Sequence, residues 1–268
     1  VKNLKKGIEF LEQQFGVKWD WDAFWKNAEM YNESSRCMIE KWDVNCTEHP
    51  QVCGAALALQ REYEFMAAAC MDKFMLKTDR RVTKMMLKGY EQDKAANAPQ
   101  PKYRCLVWAC PAHYYTNFTY WTQHCWGVTC VNDMEAMLSY QPITIGDKEQ
   151  ALADLVRCYE KMMMRSHTNG GYVNLLDECW KMCEKFHTNI VIMYDHVSCK
   201  NVGGLHGLFE DQARERGIHL IWIPHDVMDP RTVSRREMRE AFSQYMVTVL
   251  NEKPLDPTLL DYEDALSW

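Results

Sequence analysis

The 268-residue chain has no C-x-x-C pair among its 12 cysteines. That absence excludes zinc ribbons and one-segment ferredoxin sites, so a metal cluster here needs cysteines gathered from distant loops. The spacing of a small secreted disulfide scaffold is missing too. The cysteines therefore read as reduced, and most as packing residues of a cytoplasmic protein, as with Cys70 after an alanine run or Cys179 and Cys183 in one helical stretch. There is no G-x-G-x-x-G, no G-x-x-x-x-G-K-[ST], no G-x-S-x-G and no H-E-x-x-H, which argues against nucleotide hydrolysis by this chain. The formal net charge of −6 is spread without a basic block, so nucleic acid and anionic membrane surfaces are not expected as main partners. No window approaches the run of about 18 uncharged apolar residues that a membrane span needs. Internal repeats and low-complexity tracts are also missing. The chain starts at Val1 with neither an initiator Met nor a secretory signal, and the expectation is a numbering that begins inside a longer or processed polypeptide.

What is present divides into two kinds of text. At 47% hydrophobic content the chain can bury one large core or two ordinary ones, and two lobes are expected. Residues 1–97 read as a helical lobe. Ile8, Leu11 and Phe15 form an apolar stripe stopped by Gly16, and Asp20 or Asp22 caps a helix whose Trp21, Phe24, Trp25, Ala28 and Tyr31 recur near the helical period. After Pro50, the Ala-, Leu- and Met-rich run from Gly54 to Leu76 predicts a long buried helix, followed by another from Thr78 to about Tyr90. The polar, proline-bearing segment Glu91 to Lys102 reads as a linker.

Residues 98–268 alternate short apolar runs with amphipathic helices, the pattern of a Rossmann-like α/β lobe with a parallel sheet of about four strands. The strands are expected at Cys105–Ala109, Val128–Val131, Ile190–Tyr194 and Leu220–Ile223. Asp147 with Gln150, and Ser234 with Glu237, have the spacing of capping boxes. In such a lobe the ligand crevice lies outside the carboxyl ends of the strands, and three loops fall on that edge. The first carries Cys110, His113, Tyr114 and Tyr115. The second carries His196, Cys199 and Lys200, with a helix expected to open at Gly203 and Gly204 and to stop at Gly217. The third carries His225, Asp226, Asp229 and Arg231. Cys199, ahead of a helix and beside Lys200 and His196, is either a small hydrophobe under a loop or a thiol poised to bind metal or attack an electrophile. The aromatics from Tyr114 through Tyr120, Trp121 and Trp126 suit either a flat apolar ligand or helix-on-sheet packing.

These residues carry a resemblance. The segment DHVSCKNVGGLHGLFEDQARERGIHLIWIPHDVMDPRTVSRREMREAF is similar to the C-terminal end of subunits of the 2-hydroxyacyl-CoA dehydratase and benzoyl-CoA reductase family. FGVKWDWDAFWKNAEMYNESSR resembles that family's helical segment, and YRCLVWACPAHYY its strand and turn, with Ala109 and Cys110 departing from the usual glycine. In HVSCK, HGLFEDQARERGIHLIW and PLDPTLLDYEDALSW the chain resembles a benzoyl-CoA reductase catalytic subunit more than a dehydratase. The resemblance implies a [4Fe-4S] cluster with Cys199 as one ligand and the others outside this segment. It also implies a homologous second subunit, a separate ATP-hydrolysing electron donor, and an acyl-CoA substrate reduced by single-electron transfer. ATP then belongs only to a partner. His196, His113 and His225 are the expected proton suppliers, and Tyr114, Tyr115 and Lys200 the expected substrate contacts. Two alternatives stand beside a reductase subunit: a radical 2-hydroxyacyl-CoA dehydratase subunit, and a non-catalytic scaffold that docks a cluster-bearing partner.

Overall fold

The computed structural model describes residues 1–60, 73–136, 141–161 and 163–261. Helix α1 (Lys2–Phe15) ends at Gly16 in the left-handed conformation, with φ of 65°. Its apolar stripe forms, yet none of its residues is buried. Helix α2 (Trp21–Asn45) starts at Asp20, whose carboxylate accepts the Ala23 N–H at 2.9 Å. Residues 55–60 are helical. The expected long helix there runs on into 61–72, outside the described residues, as does Cys70. Helix α3 (Lys73–Ala95) is longer than the apolar period indicated. Its last turn is built from EQDKA, strong helix formers without an apolar face, so the extended linker begins only after residue 95. A buried ion pair joins α2 to α3: Lys41 Nζ lies 3.1 Å from Asp79 Oδ1, and Ser34 Oγ donates to the other carboxylate oxygen at 2.5 Å.

The second half is a four-stranded, fully parallel sheet in the order β2-β1-β3-β4, comprising β1 (Tyr103–Trp108), β2 (Val128–Asp133), β3 (Ile190–His196) and β4 (His219–His225). All four expected strands are found, and each runs further than its apolar core. The extensions are polar residues such as Asn132, Asp133, Asp195, His196 and His219. Helix α4 (Phe118–Trp126) connects β1 to β2. Helices α5 (Lys148–Lys161) and α6 (Met163–Lys185) lead to β3. After β3 the expected single helix is split into a single turn, α7 (Lys200–Gly203), and α8 (His206–Arg216), which stops at Gly217 with φ of 65°. The two glycines thus close a short turn; they do not open a long helix. Helix α9 (Arg235–Thr248) begins with a complete Ser234/Glu237 capping box, whereas Asp147 caps α5 alone because the Gln150 side chain turns to Asp154.

One buried cluster runs from Met38, Trp42 and Met86 on α2 and α3 into the strands and on to Phe242 and Met246 of α9. Two polar side chains hold this junction. Asn45 donates to the Val52 and Val131 carbonyls, both at 2.8 Å, and accepts from the Gln51 and Val52 N–H groups. The buried Arg104 guanidinium donates to the Phe186 carbonyl at 2.9 Å, to Thr47 at 2.8 Å and to Asn45 at 2.6 Å. These carbonyls close α2 and follow α6, so one cation satisfies orphan acceptors at two helix C-termini. No cysteine among the described residues is in a disulfide, and Cys105, Cys125, Cys130, Cys179 and Cys183 are buried packing groups.

Candidate functional site

Because the sheet is parallel, every strand delivers its following loop to one edge. The order 2-1-3-4 changes direction between β1 and β3, so the loops after these two strands flank the topological switch point, the place where open parallel sheets bind ligands. Ala109 makes the turn out of β1 with φ of 65°, a left-handed conformation that a glycine adopts without cost. The chain then presents half-buried Cys110 and His113, with His113 opening a single 3-10 turn, His113–Tyr115. The His113 N–H donates to the Val227 carbonyl at 3.0 Å, stitching this loop to the one after β4. Beyond β2, Asp133 Oδ1 accepts the Glu135 N–H at 2.8 Å and starts the turn Met134–Ala136, which brings Glu135 toward the β1 loop. Cys110 Sγ is 3.9 Å from His113 Nε2, and ligand atoms of Cys110, His113 and Glu135 all lie within 4.8 Å of one another.

On the β3 side of the switch point, His196 Nδ1 accepts the Ser198 N–H at 3.0 Å, and the Cys199 N–H donates to the His196 carbonyl at 2.8 Å. Cys199 is half-buried, and Lys200 is exposed. The turn that follows Cys199 is only Lys200–Gly203, so the aligned peptide dipoles expected there amount to one turn. His225, at the end of β4, is wholly buried. Its ring packs edge-on against His196 at 5.4 Å and Tyr194 at 5.0 Å, and neither nitrogen has a hydrogen-bond partner of normal geometry. Burial, helped by the neighbouring His196, pushes it down to about 4, so the ring is neutral near neutral pH.

The remaining expected site residues have structural partners. The Tyr114 hydroxyl donates to the Val233 carbonyl at 2.6 Å, and its own carbonyl accepts from Arg235. Tyr115 is buried, and its hydroxyl accepts from Arg239 at 3.0 Å. Both tyrosines tie the β1 loop to α9. Asp226 accepts the Met228 and Asp229 N–H groups, while Asp229 clasps Arg231, which holds its carboxyl down at about 2. Trp121 and Trp126 are buried under the sheet, so in these two the aromatic run serves packing.

The description of 2-hydroxyglutaryl-CoA dehydratase, D-component, matches residues 1–246 of this sequence. The chain belongs to this family. No curated protein matches it. D-component chains are subunits of radical 2-hydroxyacyl-CoA dehydratase-type enzymes, and the component name implies a second component. Among the described residues no helix is long and apolar enough to cross a membrane.

The D-component family is linked to iron–sulfur enzymes, and the donor set tests that link. Among the described residues, Cys110, His113 and Glu135 are the single group of three or more converging His, Cys, Asp or Glu ligand atoms, and Cys199 is not in it. One sulfur does not fit a [4Fe-4S] cluster, which takes its ligands from three or four cysteines. The described residues therefore do not hold such a cluster by themselves. Glu135 is the member of the edge that the sequence did not reveal. Cys110 and His113 were expected together on the β1 loop, though not as a ligand pair, and nothing local points to Glu135.

Proposed function

We propose that this chain is part of a catalytic subunit acting on an aromatic, benzoyl-CoA-like acyl-CoA by low-potential single-electron reduction. In this reading residues 1–97 form its helical part and 98–268 its α/β part. The observation that supports it is the placement of two half-buried Cys/His loops, Cys110 with His113 and Cys199 with His196, at one sheet edge on either side of the strand-order reversal between β1 and β3. Cys199 contributes one thiolate to a [4Fe-4S] cluster whose other ligands come from outside residues 1–268. A homologous second subunit and an ATP-hydrolysing electron donor complete the system. In this reading His196 and His113 deliver protons at this edge. His225 is the third proton-handling histidine of this reading, wholly buried and neutral, behind His196. Lys200, exposed beside the thiol, is positioned to meet the anionic CoA portion.

A second reading, radical dehydration of a 2-hydroxyacyl-CoA, is favoured by the description of the family itself. Turnover of the assembled complex separates the two. Incubation with benzoyl-CoA is expected to give a dearomatised ring thioester and incubation with a 2-hydroxyacyl-CoA no enoyl-CoA. The reverse product pattern replaces the reductase reading with the dehydratase one.

A further inference from the structure

We propose that Cys110, His113 and Glu135 form a mononuclear site for a zinc-class divalent cation, distinct from any cluster that Cys199 serves; with the ion bound, His113 is a ligand and proton delivery at this edge falls to His196. The three donors arrive from two different loops, yet their ligand atoms converge within 4.8 Å of one another. A tetrahedral ion with a sulfur at about 2.3 Å and a nitrogen at about 2.0 Å sets those two atoms about 3.5 Å apart. Cys110 Sγ and His113 Nε2 are 3.9 Å apart, so a shift of a few tenths of an ångström brings that pair to the tetrahedral separation. Each donor stands on an anchored loop. The backbone of His113 is held by Val227, that of Glu135 by Asp133, and Cys110 follows the left-handed turn at Ala109. Anchoring of this kind lowers the entropy lost when three side chains are gathered on one ion.

The donor chemistry selects the ion. A thiolate, an imidazole and a carboxylate suit Zn²⁺ or Fe²⁺; Mg²⁺ and Ca²⁺, which take all-oxygen shells, are excluded by the sulfur. Three protein ligands leave a fourth tetrahedral position for water or a substrate oxygen, the pattern of reactive zinc sites as opposed to closed structural ones. All three residues are half-buried, so the site is not sealed from solvent.

The test is a titration of Co²⁺, as a spectroscopic stand-in for zinc, into the metal-stripped 268-residue chain. One Co²⁺ per chain with a thiolate-to-cobalt charge-transfer band is expected. Cys110→Ser should abolish that band. His113→Asn and Glu135→Gln should each weaken binding by about tenfold or more while keeping the band. Cys199→Ser should change neither band nor affinity. Circular dichroism of each variant establishes that it is folded, and the isosteric Cys110→Ser and Glu135→Gln carry the decision if His113→Asn is not. Absence of stoichiometric Co²⁺ means that the three side chains form only a hydrogen-bonded cluster and overturns the proposal. So does a charge-transfer band that survives Cys110→Ser and is lost in Cys199→Ser.

Discussion

Replacing His225 by Leu should flatten the acid side of the chain's stability profile. The ring is wholly buried, and its pKa is lowered from 6.5 to about 4, first by burial and then by the neighbouring His196, against smaller opposing pulls from the Cys110 and Asp195 backbone and from Asp226. Well above pH 6.5 the ring is neutral in both folded and unfolded chains and adds no pH dependence. As the pH falls below the unfolded value, the unfolded chain takes up a proton that the folded chain refuses, and stability is lost until the pH passes the folded value. A depression of this size corresponds to about 2 kcal/mol lost by about pH 5 and about 3 kcal/mol once both states are protonated. Chemical denaturation at about pH 7.5 and about pH 5 measures this. The substitution also removes the edge contacts with Tyr194 and His196, but that loss is the same at both values and cancels in the difference. Wild type should lose about 2 kcal/mol more than His225→Leu over this interval. Parallel losses in the two proteins would refute the claim that His225 is held neutral.

Two further substitutions test how the two ends of β1 are held. Arg104→Leu strands three carbonyls at the ends of α2 and α6 and should cost at least about 3 kcal/mol in denaturation experiments, with Arg104→Lys only partly restoring it; a loss below about 1 kcal/mol contradicts the helix-end role. Ala109→Gly should be near neutral, because relief of about 1 kcal/mol of left-handed strain offsets the lost methyl burial and the freer unfolded chain. A loss of about 1.5 kcal/mol, as at a buried alanine of ordinary φ, would show that no strain is stored there.

The strands were legible in the sequence because each has an apolar, mostly β-branched centre between polar breaks. Their ends were not, because the polar residues that extend them, among them Asn132, Asp133 and His219, gain their places from pairing with a neighbour. Residues 91–95 looked like linker for want of an apolar face, but helix propensity carries α3 through them. The helix stops at Gly16 and Gly217 and the box at Ser234 were readable since capping is local. Strand order is not local, and with it went Glu135, which reaches Cys110 only because β2 lies directly beside β1. Tyr115 likewise read as a crevice residue until its hydroxyl was seen bonded to Arg239 from α9.

The central claim, that the thiol after β3 is a working ligand and not a packing group, is tested most directly by Cys199→Ser in the complete complex. Iron per complex and melting temperature are measured on the same sample. The account predicts the loss of the iron of one cluster with the fold intact, since the half-buried residue sits on a loop. Unchanged iron together with a lowered melting temperature would contradict it.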